Sequence, residues 1–234
     1  MKIESIQAFL LYANDKYFKE PRGSWVFRGH SDISYQLIPT IGRMEHTAKD
    51  RKTLEKTVFE EFCREARFYL TNLPTNDWDW LTLGRHHGLP TRLLDWTYNP
   101  LASIYFAVES IVSAKGEPVD GELLALHSKL FSPIKNEERS PFDVTKPTRV
   151  VTNIVSPRIR AQEGLFVVCS ELEKPLDEPL RDDWSLERHQ IPVGRKKAIR
   201  YELFRLGVNE ATIYPSVEGL AARIKWFHSY VPEI

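Results

Sequence analysis

Arg85-His-His-Gly-Leu-Pro-Thr-Arg-Leu-Leu-Asp-Trp-Thr-Tyr-Asn-Pro-Leu-Ala-Ser-Ile-Tyr-Phe-Ala107 is the most informative stretch of this chain. Its first half carries His86, His87, Thr91, Arg92, Asp95 and Trp96, where an ordinary loop carries Ser, Gly and Lys. Its second half is apolar at helical spacing, with Leu101, Ile104, Tyr105 and Val108. Asn99-Pro100 between the halves reads as a helix start, Asn at the N-cap and Pro at the first position. The stretch is thus a polar loop fixed to a buried helix, the way rigid scaffolds present functional groups. If Leu93-Leu94 enters a strand, Thr91, Leu93 and Asp95 share one face and Arg92 takes the other.

Working outward, Ile3, Ile6, Phe9, Leu10 and Tyr12 predict an N-terminal helix, and Ser24-Trp-Val-Phe-Arg-Gly29 a short strand ending in a glycine turn. Lys52 to Leu70 is a long amphipathic helix, and Asp77 opens another as its N-cap. Strands are expected at Gly121 to Leu126, Val150 to Ile154, Gly164 to Cys169 and Ala211 to Tyr214. Phe131 to Arg149 and Glu171 to Arg181 read as loops, the first as a mobile loop or insertion. Lys196 to Leu206 is a helix stopped by Gly207, and Pro215 to His228 a last helix with Leu220, Ile224 and Phe227 inward. With no repeat and no clean linker, residues 1–234 are expected to form one α+β domain, a modest mixed sheet enclosed by helices.

The 234 residues are 42% hydrophobic and 27% charged, ordinary values for a globular protein. Lys plus Arg and Asp plus Glu are both 32, a balance that argues against a large nonspecific nucleic-acid footprint. Cys63 and Cys169 are far apart and outside any Cys-x-x-Cys pattern, so both are expected as buried apolar residues. No apolar run approaches the roughly 18 residues a membrane helix needs, and no secretory signal is read, so the expectation is a cytoplasmic protein with no membrane partner. Adjacent His86 and His87 point different ways on any regular element, and no ligand set has usable spacing, so no metal site is expected. Phosphate-loop, dinucleotide and nucleophile-elbow glycine motifs are missing, which removes support from kinase, dehydrogenase and serine-hydrolase readings.

Three blocks together resemble the FRG family, named for a Phe/Tyr-Arg-Gly motif near the N-terminus. They are Phe27-Arg28-Gly29 within Trp25–His30, the stretch quoted above, and Arg158-Ile-Arg-Ala-Gln-Glu-Gly-Leu-Phe166. The order of polar parts is also similar, remotely, to that of the ADP-ribosyltransferases. In that superfamily an Arg or His on the first strand binds NAD, and a Ser/Thr-rich second strand feeds a helix often ending Tyr-Phe-Ala. A Glu or Gln on a later strand then stabilises the oxocarbenium-like transition state. This resemblance implies an ADP-ribosyltransferase-like fold, NAD as substrate of a transferase or a glycohydrolase-like enzyme, and an acceptor that is protein, nucleic acid or water. Carried over by position, Arg28, Gly29, His30, Thr91, Arg92 and Thr97 would bind the cofactor. Gln162 or Glu163 would face the reacting sugar, with Asp95 as an orienting carboxylate.

Each residue also has a plainer reading. Arg28 could pair with a buried carboxylate such as Asp95, Glu163 could be exposed, and Thr97 and Asn99 could cap the helix at Pro100. Two other functions stay open. One, beside a transferase acting in bacterial or phage defence or as a toxin, is a noncatalytic module holding a nucleotide-type phosphate ligand on Arg28 and Arg92, as within a bacterial or phage defence system. The other is a metal-independent nuclease with His87 as base. The three blocks are expected to converge on one cleft.

Overall fold

A computed structural model describes residues 1–128, 140–151, 153 and 156–230. Residues 131–139 of the expected mobile loop, and 152 and 154 of the expected strand after Val150, lie outside the described residues.

Six strands form one sheet: β1 (Trp25–His30), β2 (Leu93–Thr97), β3 (Gly121–Ser128), β4 (Thr148–Val150), β5 (Gly164–Val168) and β6 (Trp184–Ile191). Their order is β4-β5-β2-β1-β3-β6, and every named pair is antiparallel. Among the described residues the parallel pairing is the isolated bridge Lys2–Gln190. The α+β class therefore holds.

Alternation along the strands sorts the core. Phe27, Leu123 and Ala125 pack beneath α1 (Ile6–Lys16), α5 (Pro100–Val108), α7 (Val193–Arg205) and α8 (Glu210–Ile213). Leu93, Phe166 and Val168 pack beneath α3 (Arg51–Ala66) and α4 (Asp77–His86). Phe27 stands opposite Thr97, and opposed residues share a face, so both helix groups lie on one side of the sheet. On the other side Val26, Leu94, Leu124 and Val167 are covered by Leu37, Leu176 and Leu180. The helical enclosure is one-sided, and the second layer is built from connecting segments.

Local signals explain most helix starts. Asn99 accepts from the Leu101 and Ala102 amides at 2.9 and 3.3 Å, with Pro100 at the first position. The cap of α4 is Asn76, one residue before the expected Asp77, which occupies the first turn instead. Two short helices, α2 (Thr40–Arg43) and α6 (Pro157–Ala161), and a last one, α9 (Val217–Tyr230), complete the set.

Further expectations are corrected. Ala211 to Tyr214 is no strand: Asn209 and Thr212 form a capping box that starts α8 there. Trp184–Ile191 pairs along its whole length with β3, although no strand was read in it. Its charged stretch Glu187-Arg188-His189 is an edge strand's polar character, satisfied by tertiary partners such as Glu122. Leu220 and Ile224 of α9 are each 44% exposed and do not face inward. Cys169 is buried, Cys63 only half-buried, and both are free.

Candidate functional site

β1 and β2 meet at one register position, Phe27 opposite Thr97. Continued pairing would set Gly29 against Asp95, but the strands part and the sheet opens. The Arg28 guanidinium enters the opening and donates from Nη1 to the Asp95 carbonyl at 2.5 Å. A cavity of about 470 Å3 lies at this split.

Gly29 has a definite steric reason. A Cβ there would collide with the Ser103 carbonyl oxygen and sit 2.8 Å from the Ala107 nitrogen, so α5 packs its backbone directly on the strand. Gly121 on β3 makes the same allowance for the Ala107 carbonyl. The missing side chain of Gly29 thus admits a helix, not the close approach of a ligand.

Arg28 is oriented from behind. Its Nε donates to His30 Nε2 at 3.0 Å, which makes that nitrogen the acceptor. His30 Nδ1 then carries the proton toward Glu122 Oε1, 3.1 Å away; this tautomer is assigned from the network. Arg188 closes the chain by donating to Glu122 at 2.7 Å and to Asp177 at 2.7 Å. Burial lowers the Arg28 guanidinium to about 10 while Asp95 opposes that fall, so it stays charged at neutral pH. Burial also depresses His30, which favours the neutral imidazole this chain requires.

Asp95 is half-open to the cavity, its side chain 48% exposed. Arg85, at the C-terminal end of α4, donates to its Oδ2 from Nε at 3.1 Å and Nη2 at 2.5 Å, and to Thr40 Oγ1 at 2.9 Å. Arg28 stands 4.0 Å from the same carboxylate oxygen. Burial pushes the Asp95 carboxyl up, but Arg85, Arg28 and Arg158 together outweigh it and hold the group below its ordinary range. Thr97 donates from Oγ1 to the Gln162 carbonyl at 2.5 Å, joining the second block to the third. The Gln162 carboxamide is fixed by an Nε2 bond to the Ile213 carbonyl at 3.1 Å.

Arg28, Gly29, His30, Asp95, Thr97 and Gln162 all line the cavity, so the three blocks converge as expected. Four expected residues lie elsewhere. Glu163 has φ of 47°, the left-handed position that ends α6, and its carboxylate turns outward to Arg22 at 2.5 Å. Arg92 is buried in a bidentate pair with Glu55, at 2.8 and 2.5 Å, and also donates to the Pro141 carbonyl. Thr91 is fully buried, its Oγ1 accepting from the Leu93 amide. His87 is the exposed cap of α4; His86 is the one on the cavity, with Nδ1 3.3 Å from Ser156 Oγ. Burial, with help from His87 and Arg158, lowers His86.

Further cavity residues were not singled out from sequence: Arg43, Arg85, Arg158, Glu109, Tyr35 and Tyr214. Arg85 and Arg158 each head a quoted block, which was their one signal. Glu109 and Tyr214 carried none, because neither stands in a polar run. Four guanidinium groups (Arg28, Arg43, Arg85 and Arg158) face two carboxylates (Asp95 and Glu109), so the cavity wall is net cationic. Among the described residues no group of three or more His, Cys, Asp or Glu could hold a metal ion. Nor is any described helix long and apolar enough to cross a membrane.

Neither a curated protein nor a solved structure matches the chain. A family model does match, the FRG domain, over residues 23–115. That segment supplies β1, β2, α4 and α5, and so every cavity residue from Phe27 to Glu109, while Arg158, Gln162 and Tyr214 lie beyond it. The motif arginine at the split of the sheet, the polar strand beside it and the helix seated on Gly29 all fall inside this match of residues 23–115 to the FRG domain.

Proposed function

We propose that this protein is an NAD-dependent ADP-ribosyltransferase or NAD glycohydrolase, with the cavity between β1 and β2 as its site. The observation that carries this reading is the convergence of Arg28, Thr97 and Gln162 on one net-cationic cavity. Its volume, about 470 Å3, is within the roughly 300–1,000 Å3 usual for small-molecule sites. Planar guanidinium forks recognise diphosphate oxygens well, and Arg28 is held rigidly by His30 and the Asp95 carbonyl. NAD, when bound, supplies a nicotinamide–ribose bond that breaks with its electron pair leaving on nicotinamide. Arg28 and Arg85 orient the diphosphate, and the aromatic wall of Phe27, Phe166 and Tyr214 excludes water. Gln162, anchored through Ile213, offers its carboxamide to the ribose.

A noncatalytic nucleotide-binding module is the second reading. It is favoured by the outward turn of Glu163, which leaves the third block a carboxamide at the cavity and no carboxylate. One experiment separates the two. Purified protein is given NAD with and without cell extract, nicotinamide release is followed, and binding is measured by calorimetry. The transferase releases nicotinamide, and Arg28→Ala abolishes both release and binding while circular dichroism stays native. Binding without release makes it a module. Neither binding nor release across varied acceptors removes the NAD reading.

A further inference from the structure

The transferase reading leaves one chemical task without an owner. An acceptor that attacks the sugar must lose a proton, and Gln162 cannot take it. Glu163 faces Arg22 outside the cavity, and Asp95 gives Oδ2 to two Arg85 donors. One other carboxylate lines the cavity, Glu109, the residue following α5.

Glu109 is built into the wall by groups from four elements. The Tyr214 hydroxyl, just after α8, donates to its Oε1 at 3.1 Å. Arg158 of α6 lies over the Tyr214 ring, 4.6 Å from its centroid. Arg200 of α7 donates from Nη1 to the Glu109 carbonyl at 3.2 Å and from Nη2 to Glu210 of α8. Tyr105 of α5 lies near both acids. Tyr214, Arg158 and Glu109 make one polar wall of the cavity, and Arg28, Arg85 and Asp95 make another.

We propose that Glu109 is the proton-accepting carboxylate of this site, held in place by the Tyr214 hydroxyl. This rests on the transferase reading. The balance is simple. The C1′–nitrogen bond breaks and its electron pair leaves with neutral nicotinamide. A lone pair of the acceptor X–H forms the new bond to C1′, and the proton of X–H passes to the Glu109 carboxylate. Water or any hydroxyl, carboxyl or amine acceptor satisfies the same balance. The environment suits the task. Glu109 as a residue is exposed, yet desolvation of its carboxyl by the side chains packed around it raises it, and Glu210 adds to that, while the Tyr214 bond, Arg200 and Arg158 pull the other way; the net direction is upward. Asp95 lies on the opposite side of its ordinary value.

The test uses Glu109→Gln and Tyr214→Phe in the full chain. NAD binding is read by calorimetry, and kcat for nicotinamide release is read as a function of pH, with and without cell extract. Glu109→Gln should keep its NAD Kd within about threefold and lose about 10²–10⁴ in kcat, together with the acid limb of the profile. Tyr214→Phe removes a bond that lowers Glu109, so its acid limb should move to higher pH. A Glu109→Gln enzyme with unchanged kcat and acid limb overturns the proposal. So does a Tyr214→Phe limb that stays in place. A wild type that binds NAD without release removes the transferase reading, and the base role with it, which is a different result from an active wild type indifferent to Glu109.

Discussion

Replacing Arg92 with Met should cripple stability and leave the site intact, the reverse of what a ligand-binding arginine would do. Arg92 and Glu55 have side chains only 3% and 2% exposed and are joined by two parallel bonds of 2.8 and 2.5 Å. Removing one member leaves a buried, unpaired charge, a cost of about 3–5 kcal/mol. The Pro141 carbonyl, 3.0 Å from Arg92 Nη1, loses a donor for about 1 kcal/mol more. For a chain of this size each kcal/mol moves Tm by about 2–4 °C, so a fall of roughly 10–20 °C is expected. Urea unfolding should show a lower midpoint at unchanged slope. Arg92→Met combined with Glu55→Leu should recover most of the loss, because an apolar pair of similar volume often matches a buried ion pair. The reasoning is refuted if the single variant loses less than about 1 kcal/mol, or if the double variant is as unstable as the sum of the singles. Loss of nucleotide binding at native stability would return Arg92 to the site.

Two further tests address the scaffold. Gly29→Ala forces a methyl against the Ser103 carbonyl and should cost about 1–3 kcal/mol by overpacking, read as a lower Tm; a neutral result would mean that α5 does not sit on β1. Lys196 is fully buried, donates to the Ser31 and Ser110 carbonyls at 2.6 and 2.8 Å, and is lowered by burial to about 8 from 10.5. The unfolded chain therefore holds more protons between pH 8 and 10.5, so the Lys196 contribution is least favourable below pH 8 and improves as pH rises through that window. At about 1.36 kcal/mol per unit the whole change is about 3 kcal/mol. The stability of wild type relative to Lys196→Met should rise accordingly from pH 8 to 10; a constant difference contradicts the shift.

What could be read locally came out of the sequence by itself. The start of α5 follows from Asn99-Pro100, because capping involves only neighbouring backbone amides. β1, β3 and β5 follow from short apolar runs, and Arg28, Asp95 and Gln162 from polar side chains placed beside them. The α+β class needs no more than that. The choice between neighbours was decided by tertiary structure. Whether Gln162 or Glu163 faces the cavity depends on one left-handed residue at the end of α6, and His86 or His87 on where α4 ends. Arg92 serves the core because Glu55, 37 positions away, packs against it. The strand at Trp184–Ile191 is hidden because its charges find partners on β3 and in the preceding loop. Glu109, Arg158 and Tyr214 become one wall only when α5, α6 and the end of α8 are brought together. Helix period and capping are properties of a few consecutive residues. Which side chains meet across a split sheet depends on strand register and helix packing, and those are set by the whole chain at once.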